Sequence, residues 1–392
     1  MRPSRLADTV ASSAKWGEWL SERRLGCVSE RVLVKQLLGL PDGTVSVSGW
    51  VETVRDQKKV QFVILRDESG AGQLVNAATR ELPGGEEPTA EASAALALTE
   101  TISALATGTF LTVHGALKHD ERVKLGGVEI KIGSLDIAAA ALPETPIAAD
   151  SGLDKRMDWR FLDLRQARNA LIFRVQTTLE HAMRTYWIER DYIEVHSPKL
   201  MASASESNAE LFALEYFETT AYLAQSPQFF KQMAQSAGFG KIFEIGDVYR
   251  ADPSFTSRHA TEFTSIDAEI SWIDSHEDVA RMQEELLAFA IAAVKAKHGE
   301  EIEKLFELTI EVPTLPFPRI PLAEALEIVA ARGHEIVRTD GDLDPEGERQ
   351  ISAHVKETYG HDFVYITDYP AHIRAFYHMR DEETGLTKSY DL

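Results

Sequence analysis

Between Thr44 and Val51 the chain alternates: Thr44, Ser46 and Ser48 interleave with Val45, Val47, Gly49 and Val51. A period of two is the mark of a strand with one buried face, because successive side chains leave opposite sides of the backbone. The same signal returns over Gln61–Asp67, which Ser69-Gly70 stops, and over Gly72–Asn76. Thr89–Leu105 is rich in alanine and reads as a helix. Phe110–Leu117 and Val128–Ile137 then supply two further strands.

Three strands, a helix and two strands is the order of a five-stranded OB barrel, expected over residues 32–140. Residues 1–31 form an N-terminal extension without a clear pattern. Residues 141–165 read as a linker, with Leu142-Pro143-Glu144-Thr145-Pro146 inside it. The larger domain occupies 166–392. Gln166–Arg190 reads as a long helix with Ile172, Val175, Leu179, Met183, Tyr186 and Trp187 on one face, and Tyr192–Val195 as a strand ended by Ser197-Pro198. Phe243–Arg250 and Glu262–Trp272 read as an antiparallel pair around the polar loop Ala251–Thr261. Helices are expected at His276–Ala296 and at Leu322–Ala331, closed by Gly333, with strands at Phe363–Thr367 and Ala375–Met379. The class is α+β: the barrel, then a mainly antiparallel sheet flanked by helices.

Composition narrows the function. The chain has 392 residues, 44% apolar and 26% charged, ordinary for a soluble protein of two or three domains. No apolar run reaches membrane-spanning length, and the N-terminus lacks a secretory core. Cys27 is the only cysteine, which excludes an internal disulfide and a zinc site built on cysteines, and fits a reducing cytoplasm. Net charge is −21, yet residues 1–60 hold ten Lys/Arg against seven Asp/Glu. A polyanion responds to the local field, so the acidic total does not exclude nucleic acid. There is no Gly-x-Gly-x-x-Gly phosphate loop, no P-loop and no nucleophile elbow.

The chemistry concentrates between Gln225 and Asp267. Ser226 is placed to cap a helix whose first residue is Pro227 and which ends near Gly238. Gln228 and Lys231 are three apart and share a face; a helix N-terminus with Lys and Gln suits a carboxylate ligand. On spacing alone, a surface helix with a solvated lysine is the favoured reading. In the return strand, alternation points Thr264, Ile266, Ala268, Ile270 and Trp272 into the core and Phe263, Ser265, Asp267, Glu269 and Ser271 the other way. Two acids buried without partners would be costly, so that second face reads as a polar cleft, with a solvated outer face as the alternative.

The phrase Gln225-Ser226-Pro227-Gln228-Phe229-Phe230-Lys231-Gln232, with Arg250 to His259 and Glu262 to Asp267, resembles the class II aspartyl-tRNA synthetases of archaeal and eukaryal type, from about Val34 to Leu392. The resemblance implies an aspartate–tRNA ligase that uses ATP and Mg²⁺, charging tRNA(Asp) with tRNA(Asn) as an alternative acceptor, as a cytoplasmic homodimer. It gives Lys231 to the substrate side-chain carboxylate, Asp267 to its ammonium, and Gln228 and Ser226 to the same pocket. Arg250 goes to the ATP α-phosphate and the reacting carboxylate. Arg258 and His259 go to the γ-phosphate side, Asp252 near the adenine or the acceptor end, and Phe263 to a stack on adenine. Ala202–Glu210 resembles the loop that closes over the amino acid, with Glu206 and Ser207 as contacts; Ala202 and Asn208 stand where the family usually has glycine. In the barrel, Phe62 and Gln73 fall at the anticodon-reading positions, with Arg55 and Glu129 beside them. A core role for Phe62 is the alternative. Pro198 matches the dimer interface.

The closing phrase Lys388-Ser389-Tyr390-Asp391-Leu392 resembles the strand that leads into the family's last segment, with its metal-binding acid, carboxylate-binding arginine and glycine-rich motif 3. That segment would lie beyond Leu392, so no metal ligand is assigned and impaired catalysis is expected. A fragment, a non-catalytic paralogue that binds tRNA or aspartate, and an asparagine-related class II ligase are the alternatives.

Overall fold

A computed structural model describes residues 32–82, 89–142, 144–148, 150–204, 211–251, 260–338 and 340–392. The chain divides into two compact units, Met1–Asp163 and Leu164–Leu392.

In the first unit, β1 (Gly43–Asp56), β2 (Val60–Asp67), β3 (Gly70–Ala77), β4 (Phe110–His119) and β5 (Val128–Ala139) close a barrel in the order β1-β2-β3-β5-β4. Helix α1 (Ala90–Ser103) lies between β3 and β4 in sequence. This is the expected OB architecture. Alternation sends Val45, Val47, Val51, Val63, Leu65, Leu74, Leu111, Val113 and Ile130 inward. Strand β1 runs five residues past the expected Val51 because its register against β2 shifts between Val51 and Thr53. Such a bulge bends and twists a strand, as closure requires. Buried Gln61 fixes α1 to the strands: its Nε2 donates to the Thr99 carbonyl at 3.0 Å and Ser103 Oγ at 2.9 Å, while Asn76 donates to its Oε1 at 2.8 Å. The stretch read as a linker carries α2 (Leu153–Asp158), and the buried Asp163 carboxylate accepts from Arg156 Nε at 2.6 Å.

The second unit runs α3 (Ala167–Ile188), β6 (Ile193–Glu194), β7 (Leu200–Met201), β8 (Ala213–Tyr216), β9 (Thr219–Leu223), α4 (Gln228–Ser236), β10 (Lys241–Tyr249), β11 (Glu262–Ile270), α5 (His276–Phe306), β12 (Arg319–Pro321), α6 (Leu322–Ala331), α7 (Pro345–Tyr359), β13 (Tyr365–Thr367) and β14 (Tyr390–Asp391). The described strands fall into three sheets, ordered β11-β10-β6, β12-β13-β14 and β7-β9-β8. The β6–β10 and β12–β13 pairs are parallel and the others antiparallel. Helices α3 and α5 cover one side of the β10–β11 ribbon: Met183, Tyr186, Trp187, Leu286 and Ala290 surround Phe243 and Ile245. The Trp187 and Phe243 ring centroids lie 4.7 Å apart. No helix among the described residues is long and apolar enough to cross a membrane.

Several expectations are corrected. Ile172 is exposed, and the inward stripe of α3 runs through Leu171, Thr178, Ala182, Met183, Tyr186 and Trp187. Apolar periodicity misplaced it because a buried polar pair, Thr178 Oγ1 and His298 Nε2 at 2.9 Å, holds part of the seam. On β11 only Ala268 and Ile270 meet the core; Thr264 and Ile266 are exposed, because alternation sets a face but not how far the covering helices extend. Trp272 lies beyond the strand, where a backbone φ of 62° turns it into solvent. Ala375–Met379 is a turn, with the His378 N–H donating to the Ala375 carbonyl at 3.1 Å, and its aromatics find no partner strand. Helix α5 continues ten residues past Ala296, carried through Gly299 and closed by Glu307 at φ 59°. Helix α7 was not anticipated, although Asp344 accepts from the Gly347 N–H at 2.7 Å and Gly360 ends it.

Candidate functional site

The site sits on the side of the β10–β11 ribbon opposite α3 and α5. Register pairs Glu244 with Asp267, Ile242 with Glu269, Gly246 with Ser265 and Val248 with Phe263. Period two puts these eight residues on one face. Helix α4 supplies the complementary charge. It starts at Gln228, one residue later than expected, with Pro227 at the cap position and Ser226 Oγ accepting from the Gln228 N–H at 3.3 Å. Gly238 ends it with φ 99°, and the Phe239 N–H returns to the Ala234 carbonyl at 3.1 Å.

From α4, Lys231 points into the sheet face, its side chain 4% exposed, in direct ion-paired contact with Asp267 and 3.7 Å from Glu269 Oε1. Gln228, one turn earlier, donates from Nε2 to Glu269 Oε1 at 3.1 Å. The solvated-lysine alternative is therefore excluded for Lys231. Buried Gln225 and Ser226 precede the helix. The structure thus gathers Ser226, Gln228, Lys231, Asp267 and Glu269 into one polar cluster.

A second buried pair stands beside the first, and sequence reasoning missed it. Glu244 is 2% exposed; its carboxylate accepts from Lys199 Nζ at 2.5 Å, Ser197 Oγ at 3.1 Å and the Ser197 N–H at 3.2 Å. A Cβ on Gly246 would stand 2.9 Å from Glu244 Oε1 and 3.4 Å from Lys199 Nζ, so glycine leaves room for the pair. The available signal was a glutamate between Phe243 and Ile245 in an otherwise apolar strand.

Arg250 and Phe263 stand together at the mouth of the ribbon. The Arg250 N–H donates to the Thr261 carbonyl at 2.9 Å, and its guanidinium carbon lies 5.6 Å from the Phe263 ring centroid. Both side chains are exposed. Burial, with Glu262 and Asp247 nearby, pushes the Tyr249 phenol up. Asp252, Arg258 and His259, and the loop residues Glu206 and Ser207, lie outside the described residues. Pro198 is exposed between Ser197 and Lys199. Among the described residues no group of three or more His, Cys, Asp or Glu side chains could hold a metal ion.

In the barrel unit, Arg55, Phe62 and Gln73 share the outer face of β1, β2 and β3, and Glu129 follows on β5. Phe62 is half-buried and outside the core cluster, against the core alternative. Gln73 Nε2 donates to Glu129 Oε2 at 3.0 Å.

Comparison with known proteins follows the same division. Residues 152–392 match the family described as tRNA synthetases class II (D, K and N), and residues 45–138 match the OB-fold nucleic acid binding domain. The chain is 36% identical to the aspartate–tRNA(Asp) ligase of Pyrococcus abyssi over 355 residues, 89% of this chain and 77% of the relative. It is 38% identical to the aspartate–tRNA(Asp/Asn) ligase of Methanopyrus kandleri over 353 residues, with the same shares. The crystal structure of asparaginyl-tRNA synthetase from Pyrococcus horikoshii complexed with asparaginyl-adenylate superposes with a TM-score of 0.78 at 28% identity, covering 93% of this chain and 80% of that one.

Proposed function

Because the chain belongs to the class II tRNA synthetases of the D, K and N group, we infer that it is an aspartate–tRNA ligase, which activates aspartate with ATP and esterifies tRNA. The observation that carries this reading is Lys231, a lysine buried on the polar sheet face and matched by Asp267. Breaking a buried ion pair by removing one member costs about 3–5 kcal/mol, because a charge is left uncompensated. A ligand that enters this pair must therefore replace both charges. L-aspartate does so: its side-chain carboxylate takes Lys231, and its ammonium takes Asp267. Asparagine offers Lys231 no counter-ion, which disfavours the asparagine-related alternative.

The remaining residues take roles consistent with this placement. Ser226 and Gln228 shape the pocket, Gln228 by holding Glu269 in place. Arg250 holds the ATP α-phosphate against the substrate carboxylate, since a planar guanidinium can bind two oxygens as charge builds. Phe263, beside it, stacks on adenine. The chemistry is in-line attack of the aspartate α-carboxylate on the α-phosphorus with loss of pyrophosphate. Positioning and charge supply the acceleration, with no enzyme nucleophile. Asp252, Arg258, His259, Glu206 and Ser207 complete the proposed ATP and amino-acid contacts. Glu244, Asp267 and Glu269 are engaged by Lys199, Lys231 and Gln228, and the described residues of the site do not form a cage for Mg²⁺. In the barrel, Phe62 stacks on an anticodon base of tRNA(Asp), and Gln73, Arg55 and Glu129 reach base edges and backbone; relatives named for tRNA(Asp/Asn) make tRNA(Asn) a second proposed acceptor. Exposed Ile172, Ile188, Ile193 and Leu200, with Pro198, support a homodimer through α3, β6 and β7.

The test is ATP–pyrophosphate exchange with each amino acid in turn. Exchange driven by aspartate and not by asparagine is expected, at the impaired rate that the sequence reading implies. Exchange driven by asparagine at equal efficiency would overturn the reading.

A further inference from the structure

We propose that Glu244, with Ser197, is a positioning residue for the substrate ammonium: it sequesters Lys199 so that Asp267 keeps a single, exchangeable cationic partner. The inference rests on the aspartate reading above. Its basis is the register of the ribbon. Glu244 and Asp267 are directly opposite each other, and opposed residues of an antiparallel pair hold their Cβ atoms about 4.5–5.5 Å apart. Two carboxylates at that spacing repel unless each is neutralised. The face meets this with one lysine each: Lys199 on Glu244 and Lys231 on Asp267.

The two lysines are not equivalent. Lys231 rises from α4 and touches Asp267 and Glu269. Lys199 is fixed three ways, by Glu244 Oε1 at 2.5 Å, by Ser197 Oγ at 3.2 Å, and by the gap that Gly246 leaves. Without the Glu244 charge, Lys199 would keep its ammonium one cross-strand position from Asp267, on a flexible four-carbon stem. It would then settle on Asp267, where the substrate ammonium has to go. The competing cation would lower affinity for ligands that carry an ammonium; a dicarboxylate without one leaves Asp267 unpaired and would not be weakened.

Aspartate and succinate differ by that ammonium alone, and calorimetric titration of each into the full chain reads the effect. Glu244→Gln is expected to weaken aspartate binding about tenfold, a 1.4 kcal/mol change, to leave succinate binding no weaker, and to leave the KM for ATP unmoved. Adding Lys199→Met to Glu244→Gln removes the competitor and should restore the aspartate preference. If Glu244→Gln does not fold, Glu244→Asp serves in its place; it keeps the charge, shortens its reach, and should lower the aspartate preference by less. An equal loss for aspartate and succinate, or no rescue by Lys199→Met, would reduce Glu244 to a structural role and overturn the proposal. A parent chain that binds aspartate beside a Glu244→Gln variant that loses nothing overturns this inference alone. A parent that does not bind aspartate overturns the functional reading and this inference with it.

Discussion

The outer face of the barrel and the cleft face of the β10–β11 ribbon are built by the same period of two, yet they hold charge in opposite ways. On the barrel, Glu52 and Arg66 pair at 2.9 Å with side chains 43% and 25% exposed, and Gln73 leans on a half-exposed Glu129. On the ribbon, Lys231 and Glu244 are nearly sealed, their side chains 4% and 3% exposed. The difference is the cover: α4 and the Ser197–Lys199 segment lie over the ribbon and supply the counter-charges. Exposed charges in water rearrange at small cost, which suits a long, flexible polyanion. Buried charges must be answered one for one, which suits a small zwitterion that replaces them in kind.

The sharpest way to break this contrast is at Lys231. Lys231→Ala should lower unfolding free energy by about 3–5 kcal/mol, because Asp267 is left without its partner, and abolish aspartate-driven exchange. Denaturant unfolding checks the first part. A loss below about 1 kcal/mol, the level of an exposed pair, would show that the cleft is as solvated as the barrel face. The barrel counterpart is Phe62→Ala. Stacking on an aromatic contributes about 1–3 kcal/mol per base, so tRNA affinity should fall by about that amount while exchange, which needs no tRNA, is unchanged. A fall in exchange as well would make Phe62 a structural residue of its unit.

These two faces also mark what the sequence made legible. The barrel was readable strand by strand because Val45, Val47, Val63, Leu65 and Leu74 repeat every second residue and one layer closes on itself. The cleft cluster of Gln228, Lys231 and Asp267 was readable through the family resemblance; helix spacing and strand alternation alone left a solvated lysine and a solvated outer face open. Lys199 and Glu244 were not readable, since two charges 45 residues apart in sequence become partners only when β10 and the segment before β7 are placed. Ile172 and Ile266 failed for a related reason: an apolar side chain shows which residues could be buried, while the reach of α5 decides which are. Tyr365 is fully buried and donates to the Ala280 carbonyl at 3.1 Å, a contact with α5 that no local pattern announces.

The smallest effect is expected at Glu52, and it tests the barrel half of the contrast on its own terms. Arg66 reaches Glu52 with two donors, Nε to Oε2 at 3.0 Å and Nη2 to Oε1 at 3.1 Å. The pair is exposed, so Glu52→Gln should change stability by less than about 1 kcal/mol. It would nevertheless release one guanidinium onto the face that carries Arg55 and Phe62. A freed arginine that meets a phosphate adds one released counterion, steepening the salt dependence of RNA binding by about 0.7–0.9 in slope. Filter binding of tRNA across a salt series reads this directly. A steeper slope at nearly constant stability is the signature of an exposed pair that restrains a polyanion contact. An unchanged slope would place Arg66 away from the bound RNA and confine the interface to the Phe62–Gln73 side of the barrel.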